Sequence, residues 1–234
     1  MAHLAHYREA HPLPFVITHW VNLICMVLLA FTGFYIHYPF FAGFMGIARG
    51  LHIFCGIVIL LNLIFRVVAA FFVKSAPTGG TRETDFDWKS FAPQKDNRHQ
   101  LGAWIKYYLF MKKTHPLGAK YGVPQKLAYL AIPLLLLITG FTGFCLWAPT
   151  SVVGPFAAFN SLVGGVMVTR IVHYFMLWVF ILFTALHAYL ALIEGLSAAK
   201  LMFLRREHGG LVYSPREHNI VGEDDLHEGA EALK

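Results

Sequence analysis

The chain has 234 residues, of which 57% are hydrophobic and 14% are charged. Its mean hydropathy of +0.55 lies far above that of an ordinary water-soluble domain, so the composition excludes a soluble globule. The formal net charge of +6 would suit a nucleic-acid-binding protein, but the basic residues are concentrated in the segments that flank apolar stretches, and we expect no nucleic-acid partner.

Four apolar stretches of about twenty residues are each long enough to cross roughly 30 Å of hydrocarbon. They are Phe15–Ile36, Leu51–Val73, Leu127–Ala148 and Ile171–Ile193. The sequence therefore predicts an all-α membrane protein, a four-transmembrane-helix bundle that forms one domain over residues 1–206, with a polar tail over 207–234. The first stretch is too long and too polar inside for a cleaved signal peptide, so we expect the N-terminus to be retained.

The distribution of lysine and arginine predicts the orientation of the bundle. Ten of these residues lie in loop 74–126 and five follow the fourth span, whereas the other two loops carry only Arg49 and Arg170. By the positive-inside rule, both termini and the long loop are cytoplasmic. The two outer loops, Tyr38–Gly50 and Pro149–Arg170, are too short to fold or bind much alone, so chemistry at the outer face requires a partner.

Inside the long loop, the segment Leu101–Met111 combines aromatic residues with neighbouring lysines. This composition favours a helix that lies at the membrane surface, and a short soluble helix packed on the bundle is the alternative. The three cysteines all fall inside predicted spans, without the close spacing typical of zinc, iron–sulfur or covalent haem sites. We therefore expect Cys25, Cys55 and Cys145 to be small packing residues.

A short internal duplication divides the chain into two similar halves. The motif Phe-Thr-Gly-Phe occurs at Phe31–Phe34, near the outer end of the first span, and again at Phe141–Phe144, near the outer end of the third. We interpret helix pairs 1–2 and 3–4 as two copies. Aligning the copies matches His52 with His173, Arg66 with His187, and His19 with Tyr129.

Four of the thirteen histidines lie within the predicted spans. An imidazole in lipid must find partners for its ring nitrogens, so each is a functional candidate. Fourteen residues advance a helix by about 21 Å and turn it almost four times, which puts His173 and His187 on one face at opposite membrane sides. Alternating helix directions then pair His52 with His173 at the outer level and His19 with His187 at the inner level.

Two neutral imidazoles that face each other across a bundle are what a bis-histidine haem iron requires. The sequence therefore predicts an outer haem b on His52 and His173 and an inner haem b on His19 and His187. Arg66, fourteen residues after His52, is expected to bind the inner haem propionates, with snorkelling to the headgroups as the alternative. Four glycines would serve either close approach of a flat macrocycle or helix packing. They are Gly33, Gly56, Gly140 and Gly143.

Over nearly all of residues 11–206, the chain resembles the di-haem cytochrome b subunits of membrane-bound nickel–iron hydrogenases and of respiratory formate dehydrogenases, the gamma subunits of the latter. The segments that carry the resemblance are His19-Trp20 followed by Thr32-Gly33, His52, the His173 and His187 pair, Lys120-Tyr121 and Gln125-Lys126. In the formate dehydrogenase relatives, the segment before the third span resembles Lys-Tyr-Asn-Ala-Gly-Gln-Lys. The corresponding segment of this chain, residues 120–126, lacks the asparagine. The stretch Tyr107–Lys126 looks closer to the hydrogenase branch.

The resemblance implies an electron-transfer subunit with no independent substrate chemistry, in a bacterial or archaeal cytoplasmic membrane. Such a subunit takes electrons from the iron–sulfur subunit of an outer-face hydrogenase or formate dehydrogenase, whose catalytic subunit supplies them, and passes them through two haems b to membrane quinone. Quinone is expected near the inner haem, where Tyr121, Gln125 and Glu194 are the nearest polar residues. Each of the three is alternatively an ordinary residue of a helix end or interface.

Three other interpretations remain open. A cytochrome b of a thiosulfate, polysulfide or nitrate reductase would use the same bundle to run electrons outward from quinol. A small transporter or proton channel would use the intramembrane histidines and arginine as a relay, although four spans leave little room for alternating access. A cofactor-free anchor would leave the depth-matched histidines unexplained.

Overall fold

The computed structural model describes residues 12–75, 85–91, 99–112, 123–193, 202–203, 212–214 and 219–221. Its helices are α1 (Leu13–His37), α2 (Met45–Phe72), α3 (Leu101–Tyr108), α4 (Val123–Leu146), α5 (Ala148–Ser151), α6 (Gly154–Leu162) and α7 (Val166–Ile193). One antiparallel hairpin pairs β1 (Lys74–Ser75) with β2 (Asp85–Phe86), and a second pairs β3 (Val212–Ser214) with β4 (Asn219–Val221). A single 3₁₀ segment, Asp87–Phe91, follows β2 directly.

Helices α1, α2, α4 and α7 are each long and apolar enough to cross a membrane. All four predicted spans are thus confirmed, and the chain is an all-α, multi-pass membrane protein. The helices begin earlier than the apolar stretches: α2 starts at Met45 rather than Leu51, and α7 at Val166 rather than Ile171. Hydropathy marks only the lipid-embedded part of a helix, whereas backbone hydrogen bonding continues into the headgroup region.

The second connecting loop, Pro149–Arg170, folds more than the sequence suggested. It contains most of α5 and all of α6, each of which has a proline in its first turn, where the missing N–H costs nothing. Gly164 and Gly165 then turn the chain into α7 with φ angles of 95° and 109°, a region that only glycine enters readily. The loop is therefore helical within the bundle, and the expectation that it is too short to fold alone stays a prediction.

A buried polar contact ties this loop to the long helices. The Asn160 side chain in α6 donates to the backbone carbonyl of Cys145 at 2.9 Å and accepts from the Thr169 hydroxyl at 2.7 Å. Asn160 is 6% exposed and Thr169 fully buried. Because buried amides are costly to leave unpaired, these bonds fix α6 between the end of α4 and the start of α7.

By its contacts, the chain divides into two compact units. One of them, Thr18–Phe65 with Ala131–His187, contains most of the four long helices. Its apolar core takes residues from α1, α2, α4 and α7, namely Cys25, Cys55, Ile59, Leu136, Met176 and Phe180. All three cysteines of the chain are buried free thiols, as expected for small packing residues.

The other unit comprises Met1–Ile17, Arg66–Leu130 and Ala188–Lys234. At its centre is the fully buried carboxylate of Asp87, which accepts from the Arg66 guanidinium at 2.8 Å and from the Ser75 hydroxyl at 2.7 Å. The guanidinium carbon of Arg66 also lies 3.8 Å from the ring centre of Phe15. Asp87 therefore ties the 3₁₀ segment and β1 to the last turns of α2.

The predicted helix in the long loop is confirmed as α3, which ends at Tyr108 rather than Met111. Its one buried residue is Trp104, 2% exposed, whose ring packs against those of Tyr107 and Tyr108 at 6.4 Å and 5.5 Å between centres. An aromatic cluster on a short helix suits either a membrane surface or a packed soluble helix, so its location at the membrane surface stays a prediction.

Candidate functional site

The four intramembrane histidines meet in two pairs. The rings of His52 in α2 and His173 in α7 have their centres 6.2 Å apart, and those of His19 in α1 and His187 in α7 are 6.3 Å apart. The structure therefore brings together the same two pairs of histidines that were predicted from their depth along the spans. Along α7, fourteen residues separate one pair from the other, about 21 Å of helix.

The spacing within each pair fits one metal ion between two imidazoles. A bond from a metal to an imidazole nitrogen is about 2 Å long, and the ring centre lies about 1 Å beyond that nitrogen, so two rings on opposite sides of one metal have centres about 6 Å apart. Both observed separations, 6.2 Å and 6.3 Å, match this value. Haem iron held by two histidines needs this arrangement of ligands.

A threonine fixes the tautomer of His52. The Thr32 hydroxyl donates its only proton to the Leu28 carbonyl at 2.6 Å, and its oxygen lies 2.9 Å from Nδ1 of His52. With the hydroxyl proton on Leu28, the oxygen accepts from the ring, so the ring proton is assigned to Nδ1; the His52 ring also hydrogen-bonds the backbone of Leu29. Nε2 of His52 is then the nitrogen with the free lone pair, the form that a metal ligand requires.

The same arrangement supports His173. The Thr142 hydroxyl points its proton at the carbonyls of Ile138 and Thr139, both at 3.0 Å, and its oxygen lies 2.9 Å from Nδ1 of His173. The ring proton again belongs on Nδ1 and the lone pair on Nε2. Both members of this pair are therefore prepared as ligands by the protein itself.

The glycines of the duplicated motif give these two rings room. A Cβ added at Gly33 would lie 3.5 Å from Cε1 of His52, and one at Gly143 would lie 3.3 Å from Cε1 of His173. The contact at Gly143 is tight, so a side chain there would require the His173 ring to shift by a few tenths of an ångström, whereas the contact at Gly33 is an ordinary one. A Cβ added at Gly140 would lie 2.8 Å from Leu60, which indicates helix packing, and one at Gly56 would meet open space within the described residues.

The His19 and His187 pair is supported differently. Among the described residues, Nδ1 of His19 is buried without a hydrogen-bond partner. The backbone next to it is held by Asn62 of α2, which donates to the Thr18 carbonyl at 2.8 Å and to the Asn22 side chain at 2.7 Å. The two pairs therefore share their spacing but differ at Nδ1.

The other residues predicted for the haem and quinone sites do not all fall within the described part of the structure. Arg66 is bound to Asp87, and Gln125 is half-buried in the first turn of α4. Tyr121 and Glu194 lie outside the described residues. His37, which belongs to neither pair, stacks on Tyr174 with ring centres 3.8 Å apart.

Sequence reasoning missed the functional importance of three polar residues, Thr32, Thr142 and Asn62. The two threonines carried a signal, since they are the polar members of the duplicated Phe-Thr-Gly-Phe motif and precede the two aligned histidines. Asn62 carried none, because a single amide in an apolar span does not reveal which carbonyl it will meet.

Four membrane-crossing helices with paired imidazoles at metal-binding distance define the class of membrane b-type cytochromes. The comparison with protein families agrees: residues 10–205 match the family model of prokaryotic cytochrome b561, and the chain belongs to that family. This family membership, together with the fit of both histidine pairs, makes haem b the cofactor of the bundle.

Two curated relatives are similar to the chain over most of their length. The chain is 26% identical over 200 residues to the "Probable Ni/Fe-hydrogenase 1 B-type cytochrome subunit" of Escherichia coli strain K12, which covers 78% of this chain and 81% of the relative. It is 26% identical over 222 residues to the "Probable Ni/Fe-hydrogenase B-type cytochrome subunit" of Rhizobium leguminosarum bv. viciae, covering 87% of this chain and 88% of that protein.

Proposed function

We propose that this chain is the membrane cytochrome b subunit through which a nickel–iron hydrogenase passes electrons to membrane quinone. The observation that carries the proposal is the two-level arrangement of histidine pairs, with ring centres at 6.2 Å and 6.3 Å in one four-helix bundle. The names of both relatives, which are hydrogenase cytochrome subunits, support the choice of hydrogenase as the electron donor.

Two haems b would be held, one by His52 with His173 and the other by His19 with His187. When bound, each haem supplies an iron that exchanges one electron between its ferric and ferrous forms. In this proposal the two haems lie at different depths, and the buried apolar side chains of Ile59, Met176 and Phe180 support it, since they would keep the interval that an electron crosses apolar.

Arg66 is proposed to bind a propionate of the haem on His19 and His187. A guanidinium has five N–H donors, and the hydrogen bond to Asp87 is made by one nitrogen, Nη2. The carboxylate of Asp87 would orient the guanidinium while other N–H groups face the propionate. In this proposal Arg66 serves both the fold and the cofactor.

The proposed orientation puts both termini, loop 74–126 and the tail 207–234 in the cytoplasm, because lysine and arginine are concentrated there. The His52 and His173 pair is then at the outer face. The iron–sulfur subunit of the hydrogenase would dock on Tyr38–Gly50 and Pro149–Arg170, next to that pair. A formate dehydrogenase would use the same surface, so the identity of the donor is the part that needs a direct test.

That test is reduction of the cytochrome in membranes that contain the whole complex. We expect dithionite-reduced minus oxidised spectra of the purified chain to show a b-type α-band, and we expect hydrogen, but not formate, to reduce the same band in membranes. A missing b-type band would refute the cytochrome function. Reduction by formate and not by hydrogen would instead identify a formate dehydrogenase as the partner. Reduction by quinol alone would favour a cytochrome that carries electrons outward from quinol to a reductase.

Quinone is proposed to bind on the cytoplasmic side, near Tyr121, Gln125 and Glu194. Quinone reduction takes two electrons and two protons, so its site needs contact with a haem, an apolar entrance from lipid and polar groups reachable by water. Gln125 is half-buried at the start of α4, where an amide can hydrogen-bond a quinone carbonyl.

We expect Gln125→Ala to reduce hydrogen-to-quinone turnover by about tenfold, the effect of losing one hydrogen bond of about 1.4 kcal/mol to a polar substrate. Hydrogen-dependent reduction of the haems, measured with quinone turnover blocked, should be unchanged and provides the internal control. Full turnover and full inhibitor affinity in both Gln125→Ala and Glu194→Ala would place the quinone site elsewhere.

A further inference from the structure

We propose that Thr32 and Thr142 are positioning residues that hold the ring protons of His52 and His173 on Nδ1 and strengthen both imidazoles as ligands. This inference rests on the proposed haem binding and goes beyond it, because it gives a separate task to two residues that touch no metal. It also gives a physical reason for the duplicated Phe-Thr-Gly-Phe motif.

The first step concerns the direction of the hydrogen bonds. Thr32 donates to Leu28 at 2.6 Å and therefore accepts from Nδ1 of His52 at 2.9 Å. A histidine ligand that donates its other N–H to an acceptor has its tautomer and ring orientation fixed, and its coordinating nitrogen becomes more electron-rich. Each threonine thus acts on the metal through the imidazole, without contact.

The second step concerns repetition. The distance from threonine oxygen to Nδ1 is 2.9 Å at both sites, although the two bonds span 20 residues in one half of the chain and 31 in the other. Each threonine is followed by a glycine that adjoins the same imidazole: an added Cβ would be in ordinary contact with His52 at Gly33, 3.5 Å, and in tight contact with His173 at Gly143, 3.3 Å. Recurrence of the whole Thr-Gly-imidazole arrangement at aligned positions argues against an incidental hydroxyl contact.

The third step is the contrast with the other pair. Among the described residues, Nδ1 of His19 has no partner, and neither Thr32 nor Thr142 bonds to that ring or to His187. A change at either threonine should therefore alter one haem and leave the other as an internal reference. A general disturbance of the bundle would change both.

The test is a redox titration of the purified cytochrome with Thr32→Val, Thr142→Val and the double variant. Valine keeps the shape of threonine and removes the hydroxyl acceptor, while the backbone partners of the two rings at Leu29 and Thr139 stay in place. A less electron-rich ligand stabilises ferric iron less, so we expect the midpoint potential of one haem to rise in each single variant and to rise further in the double variant. The second haem should keep its potential. The ferric low-spin electron paramagnetic resonance signal of the affected haem should shift as well.

Thr139→Val is the matched control. Thr139 lies in the same helix as Thr142, and its hydroxyl donates to the Leu135 carbonyl at 2.7 Å and to no histidine ring among the described contacts. The backbone of Thr139, which hydrogen-bonds the His173 ring, is kept in the valine variant. We expect this variant to leave both potentials unchanged. Thr32→Ser and Thr142→Ser keep a hydroxyl and should behave as the natural protein does.

Several outcomes would overturn the inference. These are unchanged potentials in the double variant with both haems present, equal shifts of both haems, or a shift in Thr139→Val as large as in Thr142→Val. If a valine variant loses one haem entirely, restoration by serine supports the hydroxyl role, and failure of serine to restore it refutes that role. A natural protein without any b-type spectrum would refute the proposed function itself, which keeps the two failures distinguishable.

Discussion

Replacing His52 with alanine should remove one of two haems from the purified cytochrome, and replacing His173 should remove the same one. The ring centres of these two histidines are 6.2 Å apart, as expected for two ligands of one iron. Alanine at either position leaves that iron with only one protein ligand. His19→Ala and His187→Ala should remove the other haem for the same reason. The measurement is haem quantification per chain, combined with redox titration to show which component is lost.

Double variants and one control make this result decisive. The pair His52→Ala with His173→Ala should retain one haem, whereas His52→Ala with His19→Ala should retain none. His37→Ala is the control, because His37 stacks on Tyr174 outside both pairs and should not affect haem content. If His52→Ala and His187→Ala remove the same haem, the pairing by level is wrong.

Asp87→Ala should destabilise the chain by about 3 kcal/mol, because removing one partner of a buried ion pair leaves the other charge uncompensated. The Asp87 side chain is fully buried and that of Arg66 is 20% exposed, with the ring of Phe15 at 3.8 Å. Thermal unfolding in detergent measures the loss. Hydrogen exchange should rise first in the 3₁₀ segment Asp87–Phe91, which Asp87 anchors to α2.

Ser75→Ala provides the comparison for this variant. It removes only the 2.7 Å hydrogen bond to Asp87 and keeps the ion pair, so we expect a loss of about 1 kcal/mol. Equal effects of the two substitutions would show that the charge of Arg66 contributes nothing to the anchoring. If Arg66 also binds a propionate as proposed, Asp87→Ala should in addition shift the potential of the haem on His19 and His187.

Much of the architecture could be predicted because lipid imposes simple rules on a sequence. A span must be apolar and helical over its whole length, so composition alone located α1, α2, α4 and α7. The fixed rise and turn of a helix place His173 and His187 on one face about 21 Å apart, and the alternating directions of the spans then pair His187 with His19. These arguments need no knowledge of side-chain contacts.

The parts that could not be predicted depend on contacts between side chains distant in sequence. Asp87 lies 21 residues after Arg66 in a polar loop, where periodicity gives no information about partners. The direction of the bonds at Thr32 depends on which carbonyl its proton meets, and this is visible only in coordinates. The folding of Pro149–Arg170 into α5 and α6 depends likewise on the buried amide of Asn160.

Each histidine pair joins α7 to a helix from the first half of the chain, α2 in one pair and α1 in the other. A cofactor held between the rings is therefore a cross-link between segments that leave the ribosome at different times. If both rings of a pair are required, neither half would hold the cofactor alone, and binding would follow the insertion of α7 beside α1 and α2. A ligand that binds the assembled form and not the unfolded chain stabilises the bundle, by an amount that grows with the free concentration of the ligand.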